Sequence, residues 1–201
     1  MEDEREFRDW EKLYREEKVE ELPWFHRGLD HDLARALEEL GLKGGTALDL
    51  GTGPGTQAMA LARRGFKVTA TDLSETAITN AAVEARKNGL DIEWMPDDIL
   101  DTRLSGPFDF VFDRGCFHVL PPDRREDYAR TLARLVRPGG YLFLKCFSHL
   151  ETMDGGPYRF TPEQLREIFS GLFTVAQVRK SVFLGTLKEP PKALFCVLKR
   201  P

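Results

Sequence analysis

The 201-residue chain predicts an α/β fold: a doubly wound, mostly parallel sheet with helices on both faces and an antiparallel hairpin at its C-terminal edge. Three observations lead there. Apolar runs of strand length alternate with stretches of helical periodicity from residue 46 to residue 169, and such alternation requires crossover connections, hence parallel strands. The last two β-rich runs, 174–183 and 193–198, follow one another with no helix between them, so they pair as a hairpin and one edge strand is antiparallel. No linker, internal repeat or low-complexity stretch divides the chain, so a single domain over residues 1–201 is expected, long enough to build a proper core.

Residues 1–29 mix charges with Trp10, Tyr14, Trp24, Phe25 and His26, and read as a helical N-terminal extension outside the sheet. Leu33, Ala36, Leu37 and Leu40 then recur at helical spacing up to Gly41, the first packing helix. Strand one is 47–49, and its helix, 57–64, closes at Gly65. Strand two, 68–72, precedes a helix capped by Ser74, with Ala77, Ile78, Ala81, Ala82 and Ala85 facing the sheet and Gly89 ending it. Strand three is 92–95 and strand four 108–113. A helix over about 124–136 leads through the break Gly139-Gly140 to strand five, 141–147. Thr161, Pro162 and Gln164 spell a capping box for a helix through Phe169.

Composition excludes several classes. With 41% hydrophobic and 31% charged residues and a net charge of −4, the chain has no electrostatic reason to bind nucleic acid. Its acidic first residues are not a signal peptide and no apolar run approaches membrane-spanning length, so a cytoplasmic protein with no membrane partner is expected. Cys116, Cys146 and Cys196 are odd in number and lie in apolar surroundings, so they read as reduced thiols, and no metal site is expected.

The most informative segment runs Asp49-Leu-Gly51-Thr52-Gly53-Pro-Gly55-Thr56 between the first strand and its helix. Glycines there let backbone amides approach a ligand closely. Their alternation lacks the third-position glycine of the G-x-G-x-x-G dinucleotide turn, which disfavours a nicotinamide dehydrogenase, and no Gly-Lys-Ser/Thr ends it as a phosphate loop would. Asp49, two residues ahead of Gly51, would repel a pyrophosphate and suit a cationic amino group. Asp72 ends the second strand, where a carboxylate grips a ribose hydroxyl pair. A nucleoside joined to an amino acid describes S-adenosylmethionine, and the segment resembles the first motif of the Rossmann-like methyltransferases. Thr52 and Leu73 complete this part of the expected cofactor set.

Ligands of such sheets lie beyond the carboxyl ends of the strands. After strand three, Asp98 is expected to accept the adenine amino group and Ile99 to cover the ring. After strand four come Asp113, expected at the cofactor, then Arg114, Cys116 and His118 on the pocket floor, with Arg114 suited to an anionic or polar acceptor. Beyond strand five, Gly155-Gly-Pro-Tyr158-Arg159 offers Tyr158.

Taken together, the Asp113-Arg114-Gly115 run, the Asp123-Arg124 pair with Tyr128 after it, the Gly-Pro-Tyr turn, Trp10 with Tyr14, and Phe25-His26 resemble the thiopurine methyltransferase family and its relatives that methylate thiols, halides and tellurite, over nearly the whole chain. The resemblance implies that Trp10, Tyr14, Trp24 and Phe25 form a lid over the cofactor and that Arg114 lies beside the acceptor. Phe25, His26, His118 and Tyr158 are expected from their positions as further substrate contacts. The chain departs from that family at Tyr14, often Trp there, and at Asp72, often Glu. The expected reaction is methyl transfer to a small-molecule acceptor; a soft acceptor such as a thiolate needs little deprotonation, whereas an oxygen or nitrogen acceptor would need a base, for which His118, His26 and Asp113 are the candidates. The alternative is a non-catalytic module that binds S-adenosylmethionine or S-adenosylhomocysteine and lacks an acceptor cavity.

Overall fold

The computed structural model describes residues 9–201. Of the expected N-terminal extension, residues 1–8 lie outside the described part. The remainder forms α1 (Trp10–Glu16) and a 3-10 turn, Val19–Glu21. The fold then runs α2 (His31–Glu39), β1 (Gly45–Leu50), α3 (Thr56–Arg63), β2 (Phe66–Asp72), α4 (Glu75–Lys87), β3 (Glu93–Pro96), β4 (Phe108–Arg114), α5 (Arg125–Leu135), β5 (Val136–Ser148), β6 (Arg159–Phe160), α6 (Pro162–Ile168), β7 (Thr174–Val182) and β8 (Lys192–Lys199).

One sheet joins the strands in the order β3-β2-β1-β4-β5-β8-β7, with the two-residue β6 pairing alongside the end of β5. All pairings from β3 to β5 are parallel, and the C-terminal hairpin is antiparallel, as the missing crossover helix predicted. Its antiparallel member is β8, which sits inside the sheet between β5 and β7; the edge strand β7 runs parallel to the rest. The expectation of an antiparallel edge strand is therefore corrected: the apolar run Ala193–Leu198 is buried by two neighbours, while the half-polar β7 takes the edge, where one exposed flank costs least.

Strand alternation divides the core into two layers. Leu48, Val111, Leu142 and Leu144 face α5 and α6, packing with Leu132 and Leu165, whereas Ala47, Phe110, Phe112 and Phe143 face α2 and α3, packing with Leu33, Leu37 and Leu61. β5 begins five residues earlier than expected, because its pairing with β4 starts at Val136 opposite Phe108 and continues past a bulge at Gly139, φ +75°, and Gly140, which presses against the carbonyl of Asp109, an approach a Cβ would block at 2.7 Å. The capping box at Thr161 and Gln164 forms as predicted, and Ser74 caps α4 by accepting from the Ala77 N–H at 3.0 Å. β1 has its neighbours β2 and β4 on opposite sides, so the crossover direction reverses there and a crevice opens above the carboxyl ends of β1 and β4.

Candidate active site

The glycine turn between β1 and α3 lies at that crevice. At Gly53 the backbone has φ +50°, and a Cβ would stand 2.5 Å from the Tyr14 hydroxyl, so only glycine lets the two meet. The amides of the turn, expected to face a ligand, are used within the protein: Thr52 N–H donates to the Thr71 carbonyl at 2.8 Å, Gly53 N–H to Asp72 Oδ2 at 2.8 Å, and Gly55 N–H to the Thr52 carbonyl at 2.9 Å.

The two predicted carboxylates flank it. Asp49 is 2% exposed, and its Oδ2 accepts from Thr52 Oγ1 at 2.5 Å and from the Ala58 N–H at 3.0 Å, which ties strand to helix. No described residue donates to its Oδ1, and burial pushes its pKa up to about 7. Asp72 accepts from Gly53 and, at 2.9 Å, from the Ser74 N–H, and burial raises its pKa as well. Beyond it opens a cavity of about 430 Å³ lined by Leu73, Pro96, Asp98, Asp101 and neighbouring residues. Leu73, 55% exposed, is an apolar shelf, and Asp98 stands exposed at the rim while its Oδ1 holds the Leu100 N–H at 2.9 Å. Ile99, expected to cover an adenine ring, is instead buried in the core with Leu104 and Phe108, because the 3-10 turn Ile99–Asp101 rotates it under the sheet.

The N-terminal segment closes over this turn. Tyr14 is buried, Trp24 Nε1 donates to its hydroxyl at 3.3 Å, and Trp10 meets Trp24 edge-on at 5.8 Å between centroids. Burial and the nearby Asp72 push the Tyr14 phenol above its usual range. Phe25 joins the same apolar cluster. Glu11, which sequence reasoning missed, spans the start of α4: its carboxylate accepts from Ser74 Oγ at 2.7 Å, from the Thr76 N–H at 3.1 Å and from Thr76 Oγ1. Those hydroxyl and amide donors lower its pKa to about 2.

On the other side of the crevice the charges are spent internally. Arg114 Nε donates to Asp30 Oδ2 at 3.0 Å, Nη1 to the Trp24 carbonyl at 3.0 Å and Nη2 to the Leu184 carbonyl at 2.5 Å. It therefore braces the N-terminal segment and the β7–β8 loop, and its guanidinium is engaged within the protein. Beside it Lys145, fully buried, reaches Asp30 Oδ2 at 2.7 Å and Asp32 Oδ2 at 2.8 Å. Burial alone would raise the Asp30 pKa, but Lys145 and Arg114 outweigh it and hold the carboxyl below its usual value.

Asp113, expected at the cofactor, is 0% exposed and saturated: Oδ1 accepts from the Gly115 and Cys116 amides at 2.9 and 2.7 Å, Oδ2 from the Phe117 amide at 2.9 Å and from the Tyr128 hydroxyl at 2.5 Å. It holds the turn after β4, and burial raises its pKa to about 6. His118 is also buried; its Nδ1 accepts from the Phe147 N–H at 3.2 Å, and burial followed by the Arg114 charge lowers its pKa to about 3. Half-buried His26 keeps an enclosed Nδ1 without a partner, its pKa lowered by burial and by Arg114. Tyr158 stacks under the Arg125 guanidinium at 4.6 Å and packs against the core.

Known proteins resemble this chain in sequence and fold. A family model described as "Methyltransferase domain" matches residues 47–140. The chain is 30% identical over 177 residues to 2-heptyl-1-hydroxyquinolin-4(1H)-one methyltransferase of Mycobacteroides abscessus, across 84% of this chain and 78% of that protein. This chain belongs to the class I S-adenosylmethionine-dependent methyltransferases. It is also 41% identical over 105 residues to ubiquinone biosynthesis O-methyltransferase of Caulobacter vibrioides, covering 51% of this chain and 40% of that protein, so it spans less than half the length of that relative. A solved structure described as "Conversion of a Disulfide Bond into a Thioacetal Group during Echinomycin Biosynthesis" superposes with a TM-score of 0.82 and 29% identity, over 95% of this chain and 90% of the other.

For a methyltransferase the residues fit the cofactor. The cavity beside Leu73 has room for an adenine, Asp72 lies at the strand end next to it, and no described residue donates to the Oδ1 of Asp49. Sequence reasoning assembled Asp49, Asp72, Leu73, Asp98 and the lid aromatics around one crevice, and missed Glu11, Asp30 and Lys145. No local pattern marks those three: their partners lie 63 to 115 residues away.

Proposed function

We propose that this chain is a single methyltransferase domain, residues 1–29 serving as its lid, that methylates a small cytoplasmic acceptor at a soft nucleophile such as a thiolate. Asp49 would hold the amino group of S-adenosylmethionine, Asp72 the ribose, Leu73 and Asp98 the adenine, and Trp10, Tyr14 and Trp24 would cover it. When bound, the cofactor supplies a methyl group already activated on a positively charged sulfur. The protein's part is orientation and exclusion of water.

The observation that carries the soft acceptor is the state of the acidic and basic side chains around the carboxyl ends of β4 and β5. Asp113 has four donors on its two oxygens, Asp30 is tied to Lys145 and Arg114, and His118 has its Nδ1 lone pair engaged. None of the three has a basic lone pair free for a proton from substrate, so the acceptor has to arrive ionised or intrinsically nucleophilic. The similarity to a structure concerned with sulfur chemistry supports the same reading.

A second reading rests on His26. Of the three candidate bases it alone keeps a ring Nδ1 without a partner among the described residues, and burial favours its neutral form. Turnover of a panel of thiols and phenols by the wild type and by His26→Gln separates the two. Thiol methylation unaffected by H26Q supports the soft acceptor; phenol methylation abolished by it, without thiol turnover, supports the second reading. Saturable S-adenosylhomocysteine binding without transfer to any of them would leave a binding module.

A further inference from the structure

His118 carries a feature that the cofactor contacts do not use. Its Nδ1 accepts the Phe147 amide hydrogen, so the neutral ring must carry its proton on Nε2. The side chain is 6% exposed, and no described residue accepts from that Nε2–H. Nε2 is not one of the fully enclosed polar atoms without a partner, so this donor keeps contact with open space, where water or a ligand can meet it.

The surroundings keep that donor reachable. Gly115, directly after β4, has φ +107°, and a Cβ there would stand 3.1 Å from Nε2, covering it. Phe147 and Phe183 wall the imidazole at 4.9 and 5.4 Å between centroids and touch each other at 5.3 Å. Arg114, from β4, is the charged group beside the ring; Phe147 comes from β5, and Phe183, just after β7, has its ring against Arg114 and the Lys145 of β5. The result is a neutral donor set in an apolar wall at the carboxyl ends of β4 and β5, on the side of the crevice away from the adenine cavity.

We propose that His118 anchors the methyl acceptor, its Nε2–H donating to a lone pair of the nucleophilic group while the Gly115 gap and the Phe147–Phe183 wall receive the apolar body behind it. The acceptor is then an aryl or alkyl compound with a soft, electron-rich heteroatom. Donation from a neutral ring steers such an atom without adding a proton to it, and the same tautomer bars His118 from acting as the base. This rests on the methyltransferase reading.

The test uses the full chain, labelled with ¹⁵N and saturated with S-adenosylhomocysteine. Its imidazole resonances should show His118 protonated on Nε2 and bare on Nδ1 from pH 5 to pH 8, and benzenethiolate should shift the Nε2–H signal. Two near-isosteric variants separate the ring's two faces. His118→Asn keeps an acceptor where Nδ1 was and lacks the far donor; it should bind S-adenosylhomocysteine as the wild type does and weaken benzenethiolate by about tenfold, the scale of one neutral hydrogen bond. His118→Gln keeps the far donor and should retain most of the benzenethiolate affinity.

A His118 proton on Nδ1, an imidazolium at pH 6, or an Nε2–H signal unmoved by benzenethiolate while S-adenosylhomocysteine saturates the chain would each overturn the proposal. Failure of S-adenosylhomocysteine to bind would instead overturn the methyltransferase reading itself.

Discussion

The two halves of the crevice are built on opposite electrostatic plans. Around the ends of β1 to β3, carboxylates are held by backbone amides with room left over: Asp49 keeps one oxygen free of donors, and a cavity of about 430 Å³ opens past Asp72. Around the ends of β4, β5 and β7, Asp30, Asp32, Arg114 and Lys145 neutralise one another and Asp113 is saturated. A pocket for a cation-bearing cofactor needs unspent negative charge, whereas a pocket for a nucleophile that reacts unaided needs a rigid, dry wall. The contrast accounts for the fate of Arg114, expected beside the acceptor and found bracing the lid.

The largest effect that would break this contrast comes from Lys145→Met, which leaves Asp32 without its buried cation and Asp30 with Arg114 alone. A loss of about 3 to 5 kcal/mol in unfolding free energy is expected, the scale for breaking a buried ion pair on one side, read by urea titration. A loss under about 1 kcal/mol would show that the network is not what holds the acceptor side closed.

Next is Asp72→Ala, which should weaken S-adenosylhomocysteine binding by about 1 to 3 kcal/mol in calorimetry, since it removes the proposed ribose partner and leaves the Gly53 and Ser74 amides without theirs. Arg114→Lys should leave that affinity nearly intact if Arg114 braces the acceptor side alone, which sharpens the division.

Acidity provides two further measurements. Asp49, with its pKa at about 7, must be ionised to hold an ammonium group, so cofactor affinity should be full above pH 7 and fall as pH drops below it, by up to about tenfold per pH unit; Asp49→Asn should flatten the profile. For His118 the folded-state pKa, about 3, lies below the ordinary 6.5. The neutral form is favoured by folding, so this group's contribution to stability is present above pH 6.5 and is lost as pH falls toward 3. The slope of unfolding free energy between pH 6.5 and pH 5 should be shallower on acidification in His118→Gln than in the wild type.

Smallest is the lid. Glu11→Gln removes the charge at the start of α4, where a carboxylate is favoured by the helix's unpaired amides, and should shorten cofactor residence time in stopped-flow release while changing stability little. Unchanged release would detach Glu11 from lid closure.

Much of this molecule was legible in its residues. The strand and helix alternation, the capping box at Thr161, the cap at Ser74 and the glycine turn with its flanking Asp49 and Asp72 are signals carried within a few positions, and each appears in the fold where it was expected. Positions one turn further on were misread for a local reason: the 3-10 turn after β3 sends Ile99 into the core, and the tight turn after β4 folds its amides back onto Asp113.

By itself, then, the sequence determined the layering of the sheet and the carboxylate-flanked turn, because hydrophobic period, glycine φ and helix caps act over spans that the chain's local order already sets. Only the tertiary structure decided which charged groups remain free. Glu11 with Ser74, Arg114 with Asp30 and Lys145 with Asp30 are 63, 84 and 115 residues apart. A side chain's availability for chemistry depends on partners that folding brings to it, and no pattern of neighbours along the chain records them.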